Sequence, residues 1–109
     1  MNPRGTLKRI KQFKIDEWHR TILMIKNMIA EFERTNAHLE REIEVEQSRS
    51  GINDQHNFAY PLFAKAATQR RENLKRSIDE LRSKLNYAQM ALAEAVDERI
   101  KIETRDERR

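Results

Sequence analysis

The chain has 109 residues and a formal net charge of +4, with 37% charged, 38% hydrophobic and 6% aromatic residues. This length is enough for one domain at most. Because cysteine is absent, disulfide frameworks, thiolate zinc sites and cysteine nucleophiles are excluded, and a reducing compartment is the default. No apolar run approaches the roughly 20 residues that cross a bilayer, so we expect a soluble cytoplasmic protein.

The helix-breaking residues divide the chain into two blocks. Pro3 and Gly5 lie near the start, and Gly51 and Pro61 bracket a short middle segment. The blocks between them are rich in residues that lose little side-chain entropy in a helix. We expect Gly51 at the left-handed C-terminal position of the first helix, and Pro61 in the first turn of the second. The sequence thus predicts an all-α fold as a single domain over 1–109: a helix at about 6–49, a tip loop at about 50–61 and a helix at about 62–105.

Apolar residues in both blocks alternate steps of three and four, which is the a/d pattern of a coiled coil. In the first block these positions are Ile15, Trp18, Ile22, Ile25, Ile29, Phe32, Asn36, Leu39 and Ile43. In the second block they are Ala64, Ala67, Arg71, Leu74, Ile78, Leu81, Leu85, Ala88, Leu92 and Ala95. A stripe this narrow indicates a helical partner rather than a globular core.

The other helix of the same chain is the simplest partner. If partners have residue numbers that add up to about 110, large residues meet small or medium ones, as with Ile43 and Ala67 or Ile25 and Leu85. Residues 31–46 carry a net charge of −4 and residues 64–79 a net charge of +3, which favours the same pairing. The fold class predicted is an antiparallel coiled-coil hairpin. A register shifted by one heptad stays open.

Toward the termini the apolar residues change phase in both helices. They become Leu7 and Ile10 in the first helix, and Val96 and Ile100 in the second. Such a change requires a stutter, which locally unwinds the supercoil. Because the two stutters fall at the same level under the proposed pairing, we expect both helices to change heptad phase there.

The sequence offers little for catalysis or metal binding. His19, His38 and His56 are far apart, and only His38 with Glu42 has a helical ligand spacing. A metal site needs three or four converging ligands, and acid–base catalysis needs a cleft that excludes water. We therefore expect no catalytic, metal or cofactor-binding residues, and no enzyme activity.

Basic residues are concentrated at the N-terminus. Residues 1–14 carry Arg4, Lys8, Arg9, Lys11 and Lys14 without any acidic residue. A basic region at 69–76 has a simpler explanation in the acidic helix opposite it, so we do not expect nucleic-acid binding. The N-terminal cluster has no obvious intramolecular partner, and we expect it to contact an acidic protein surface or to be solvated.

Apolar residues outside the heptad seam mark two further candidate surfaces. Leu23, Met24, Tyr87 and Met90 fall at similar height along the hairpin and suggest a binding patch, the alternative being ordinary packing. At the tip, apolar residues serve as a plug that closes the coiled coil or as a docking knob. These tip residues are Ile52, Phe58, Tyr60, Leu62 and Phe63.

The tip also carries a family resemblance. Residues 51–71 read GINDQHNFAYPLFAKAATQRR, and residues 28–34 read MIAEFER. With these segments, the chain resembles the alphaproteobacterial branch of the FliJ family of flagellar type III export proteins. It departs from that family at Gln55, where proline is expected after the Asp, and in its mixed-charge end at 103–109.

The resemblance implies a soluble, non-catalytic stalk of the export apparatus, peripherally associated with the flagellar base. Its implied partners are the flagellar export ATPase, the cytoplasmic domain of the export gate and export chaperones, without cofactors. Our own candidate contacts, chosen for expected exposure, are Arg4, Lys8, Arg9, Lys11, Leu23, Met24, Tyr60, Tyr87 and Met90. The alternatives are a coiled-coil adaptor or oligomerisation module of an unrelated pathway and, more weakly, a nucleic-acid-binding dimer. The oligomeric state is open.

Overall fold

A computed structural model describes residues 3–107 of the chain as two α-helices joined by a loop. Helix α1 spans Pro3–Ser50 and helix α2 spans Leu62–Glu107. No strand occurs within this part of the chain. The predicted all-α antiparallel helical hairpin is confirmed.

The helix ends follow from the backbone chemistry of proline and glycine. Helix α1 begins at Pro3, earlier than the predicted start at about residue 6. Proline is tolerated there because the N–H groups of the first turn have no partner within the helix, and proline has no N–H to leave unpaired. It ends at Ser50, and Gly51 takes the predicted left-handed conformation with φ of 74°. The Gly51 N–H donates to the Gln47 carbonyl at 2.8 Å. Pro61 precedes α2, and its carbonyl accepts the Lys65 N–H at 3.0 Å.

The described residues form two compact units. Unit 1 comprises the described parts of Met1–Asn27 and Arg82–Arg109, and unit 2 comprises Met28–Leu81. Each unit holds one segment of α1 and one segment of α2. The single domain expected over 1–109 stays a prediction.

The core of unit 2 contains the pairing that the sequence predicts. Leu39, Ile43 and Ala67 form one buried cluster, and Leu74 packs against it. Ile43 and Ala67 are the partners expected from residue numbers that add up to about 110. The large side chain of Ile43 thus lies beside the small Ala67, as in a knobs-into-holes seam.

Unit 1 shows the same register through polar contacts. The Lys11 ammonium group pairs with the Glu98 carboxylate, and Arg99 Nη1 donates to Gln12 Oε1 at 2.9 Å. The numbers of these partners also add up to about 110. A register shifted by one heptad is therefore excluded in both units. All the predicted a/d positions are buried or half-buried.

The stutters expected near the termini are absent from the described residues. Leu7, Ile10 and Ile100 are exposed, and only Val96 of the four predicted residues is half-buried. Lys11 and Arg99, which continue the original heptad phase, are half-buried as well. The long aliphatic stems of Lys and Arg can line a seam while their charged ends reach a polar partner. The uninterrupted heptad is possible for this reason, and the stutter prediction is wrong.

No helix among the described residues is long and apolar enough to span a membrane.

Candidate functional site

An aromatic pair lies at the surface of unit 1. The Trp18 and Tyr87 rings meet edge to face, with centroids 6.0 Å apart and an interplanar angle of 69°. Trp18 occupies a heptad core position but is too large to be covered and is half-buried, whereas Tyr87 is 68% exposed. Edge-to-face packing holds both rings in a defined orientation. The pair therefore places aromatic area of defined orientation at the surface.

Two shallow grooves flank the Trp18 ring. The first, of about 400 Å³, lies between the helices and is lined by Trp18, Thr21, Ile25, Ser83, Lys84, Tyr87 and Ala88. The second, of about 320 Å³, runs along α1 and is lined by Glu17, Trp18, Arg20, Thr21 and Met24. Thr21 lines both. Its small side chain leaves space beside the indole that a larger side chain could fill.

The structure separates the four residues of the predicted binding patch. Met24 is 64% exposed and lines the groove along α1. Met90 follows Tyr87 by one helical turn, so both lie on one face of α2, and both are exposed. Leu23 is exposed but lines neither groove. Leu23 comes one position before Met24 and is rotated about 100° from it around the helix axis, and its role as a contact residue stays a prediction.

The surface formed by Trp18, Thr21, Met24, Tyr87 and Met90 is named the Trp18 surface. From the sequence, Trp18 was placed in the heptad seam only, and Thr21 was not singled out. A detectable signal was present. A tryptophan in a two-helix seam is too bulky to be fully covered, so some of its ring has to reach the surface.

The N-terminal basic cluster is partly satisfied within the hairpin. Lys11 is hydrogen-bonded to Glu98. This bond, together with the charges of Lys11, Lys14 and Lys101, lowers the pKa of the Glu98 carboxyl. The expectation that Lys11 is left without an intramolecular partner is therefore wrong.

Other members of the cluster differ from Lys11. Arg4 and Lys8 are half-buried and have contacts of their own, so they too were wrongly expected to lack intramolecular partners. Arg9 is exposed, as is Lys14. A partner that approaches this end meets Arg9 and Lys14 more readily than the other three cations.

The tip loop is built from two consecutive turns of the same design. The backbone carbonyl of Asp54 accepts a hydrogen bond from the Asn57 N–H, and the Asp54 carboxylate accepts one from the His56 N–H at 2.9 Å. In the second turn, the backbone carbonyl of Asn57 accepts the Tyr60 N–H, and the Asn57 side-chain oxygen accepts the Ala59 N–H. Asp and Asn favour such turns because their side chains bond the backbone two residues on. The loop is thus specified by two residues within the segment that carries the family resemblance.

Tyr60 does not belong to the surface, contrary to its prediction as a partner-binding residue. It is only 6% exposed, and its hydroxyl accepts a hydrogen bond from Gln47 Nε2 at 3.0 Å. The Tyr60 ring is the plug that closes this end of unit 2. Its neighbours Phe58, Leu62 and Phe63 are exposed, and the docking-knob alternative stays a prediction for them.

Phe58 and Leu62 also line a shallow groove of about 450 Å³ with polar side chains of the loop and of α2. Phe63 lines another groove with Val45, beside the His38–Glu42 pair, in which Nε2 and Oε1 are 2.7 Å apart. His38 and Glu42, the i,i+4 pair noted in the sequence, thus form an ion pair when His38 is protonated. Among the side chains that the structure describes, at residues 3–105, no group of three or more His, Asp or Glu is placed to hold a metal ion.

A second stripe runs along α1 beside the heptad seam. It alternates steps of three and four through Leu7, Ile10, Lys14, Glu17, Thr21 and Met24. Each of these residues is exposed except Thr21, which is half-buried. The sequence carries this spacing plainly, but the stripe has two charges at its centre and is not uniformly apolar.

The chain matches no family model, no curated protein and no solved structure. The resemblance to the FliJ family therefore depends on the residues of the tip segment and the segment at 28–34.

Proposed function

We propose that the chain is a non-catalytic component of the flagellar type III export apparatus. In this proposal it is a coiled-coil stalk that couples the export ATPase ring to the export gate and takes part in handling export chaperones. It acts in the cytoplasm, peripherally associated with the flagellar base. The partners come from the resemblance to the FliJ family.

One observation supports this proposal above the others. The segment that resembles the FliJ family is the segment that builds the tip of an antiparallel helical hairpin, the fold that the resemblance implies. Gly51 ends α1 with its positive φ, Asp54 and Asn57 each close a turn, and Tyr60 seals the end. The residues of the resemblance therefore have defined structural roles in the tip.

The two partners are proposed to use different surfaces of unit 1. The basic N-terminal segment, with exposed Arg9, contacts the ATPase, since unmatched positive charge favours encounter with an acidic surface. Tyr87 and Met90, the α2 side of the Trp18 surface, contact the gate or the chaperones, because exposed aromatic and methionine side chains are enriched in protein interfaces.

Binding of the purified full chain to the export ATPase and to the gate domain tests this proposal. We expect Arg9→Glu to weaken ATPase binding several-fold, in a salt-dependent manner, and to leave gate binding unchanged. Arg34→Glu, an exposed reversal in unit 2, is the matched control. Tyr87→Ala combined with Met90→Ala should weaken gate binding and spare ATPase binding.

The outcomes separate the alternatives. If both sets of variants lose both partners equally while remaining folded, the assignment of separate surfaces is wrong. If the wild-type chain binds neither the ATPase nor the gate domain, the flagellar proposal fails. The chain is then better described as a coiled-coil adaptor of another pathway.

A further inference from the structure

We propose that two copies of this chain associate through the second stripe of α1, packed antiparallel about a two-fold axis that passes between residues 15 and 16. The stripe consists of Leu7, Ile10, Lys14, Glu17, Thr21 and Met24. This inference concerns α1 within unit 1 and does not depend on the flagellar proposal.

The charges of the stripe specify the occupant. Lys14 and Glu17 are exposed and adjacent at the centre of the stripe. Among residues 3–105, whose side chains the structure describes, Glu17 makes no ion pair, and Lys14 acts on Glu98 only through longer-range electrostatics. When a second copy lies antiparallel, each Lys14 faces the Glu17 of the other copy. A two-fold axis requires such reciprocal contacts, and this stripe provides them with opposite charges.

The shapes of the flanking residues match in the same arrangement. Moving outward from the axis, Ile10 of one copy faces Thr21 of the other, and Leu7 faces Met24. Ile10 is an exposed branched side chain, and Thr21 is the small residue shared by the two grooves beside Trp18. Each copy therefore offers a knob at Ile10 and a hole at Thr21, and the two-fold axis brings each knob to the hole of the other copy.

The exposure of the stripe agrees with an unfilled interface. Leu7, Ile10 and Met24 are between 41% and 64% exposed, although Lys11 is half-buried in the seam beside them. These three apolar residues lie on both sides of the central charges of the stripe.

Charge reversal with rescue tests the proposal by sedimentation equilibrium of the full chain. We expect the wild type to approach twice its 13.1 kDa mass with rising concentration. Lys14→Glu or Glu17→Lys alone should place like charges opposite each other twice and raise the dimer dissociation constant by about tenfold. The double variant Lys14→Glu with Glu17→Lys should restore dimerisation.

Matched controls lie next to the stripe. Arg9→Glu and Asp16→Lys make the same charge changes at exposed positions that are not on it, and both should leave the dissociation constant unchanged. The helical content of every variant is checked by circular dichroism. The proposal would be overturned if the wild type stays monomeric, if neither single reversal changes the dissociation constant, or if the double variant does not restore dimerisation.

Cysteine crosslinking tests the antiparallel direction independently, since the natural chain has no cysteine. A mixture of Ile10→Cys and Thr21→Cys chains should form disulfide-linked heterodimers, and neither variant alone should crosslink to itself. Crosslinking of the Ile10→Cys variant with its own kind would indicate parallel packing and overturn the proposal.

Discussion

The Trp18 indole and the Tyr87 ring meet edge to face across α1 and α2 of unit 1, with an interplanar angle of 69°. Tyr87 is largely exposed, yet it covers one side of a heptad core residue. A single side chain thus contributes both to the packing of the hairpin and to the surface available to a partner.

Replacing Tyr87 with Ala should change the environment of Trp18, which is the sole tryptophan of the chain. Loss of the aromatic contact should lower the free energy of unfolding by about 0.5–1.5 kcal/mol. It should also shift the tryptophan emission to longer wavelength and increase quenching by acrylamide. Met90→Ala is the control, because Met90 is not in the aromatic pair. Unchanged emission in the Tyr87 variant would contradict the described contact.

Asn36 is a polar interruption of the seam in unit 2, and its side-chain oxygen is buried without a hydrogen-bond partner. Replacing it with Ile removes an unsatisfied acceptor and adds apolar contact, so the free energy of unfolding should rise by about 1–2 kcal/mol. Urea denaturation measures this change. Because a polar core residue also restricts pairing choices, the variant should show a broader oligomer distribution.

Asn27→Ile provides the comparison for Asn36→Ile. Asn27 is exposed on the same helix, so this substitution should leave the stability nearly unchanged. A destabilised Asn36→Ile variant of unchanged oligomeric state would indicate that the amide has a bonded role.

Gln55 occupies the second position of the turn that Asp54 and Asn57 close. Proline is favoured at this position of a type I turn, and it restricts the unfolded chain. We therefore expect Gln55→Pro to raise the free energy of unfolding by about 0.4–1 kcal/mol. Thermal denaturation measures the effect, with Gln69→Pro, inside α2, as a strongly destabilised comparison. A destabilised Gln55→Pro variant would show that the turn does not accept proline.

The Lys11–Glu98 pair gives unit 1 a defined dependence on pH. The hydrogen bond and positive charge of Lys11 lower the folded-state pKa of Glu98. Its stabilising contribution is therefore fully present above the ordinary pKa of glutamate and is lost as the pH falls through the lowered value. A carboxyl titration by NMR should show Glu98 titrating below the ordinary pKa of glutamate. Lys11→Met should return the Glu98 pKa toward its ordinary value. Equal Glu98 midpoints in the wild type and the Lys11→Met variant would contradict the pair.

The fold was largely predictable because its signals are periodic. The heptad spacing, the sizes of the core residues and the opposed charges of the two helices together predict that Ile43 lies beside Ala67, and Gly51 marks the end of α1 through its tolerance of positive φ. The termini were harder to predict. Leu7 and Ile10 suggested a change of seam by their hydrophobicity, but Lys11 and Arg99 can enter a seam with their stems and still reach polar partners.

The candidate surfaces were less predictable than the fold. Sequence composition shows that the tip is apolar, but it does not show that Tyr60 turns inward to meet Gln47 while Phe58 stays exposed. That division depends on the two turns at Asp54 and Asn57, which fix the direction of each side chain. Similarly, Leu23 and Met24 are adjacent in sequence, and the helical rotation between them places only Met24 at the grooves beside Trp18.

The short, self-bonded tip loop has a consequence for the order of folding. Ile43 and Ala67, core partners near the tip, lie 24 positions apart, whereas Lys11 and Glu98 lie 87 positions apart. Closing the longer loop from an unfolded chain costs about 1 kcal/mol more in entropy than closing the shorter one. Since contacts close in sequence form faster, the hairpin should nucleate at its loop and zip toward the termini, where the charged seam forms last.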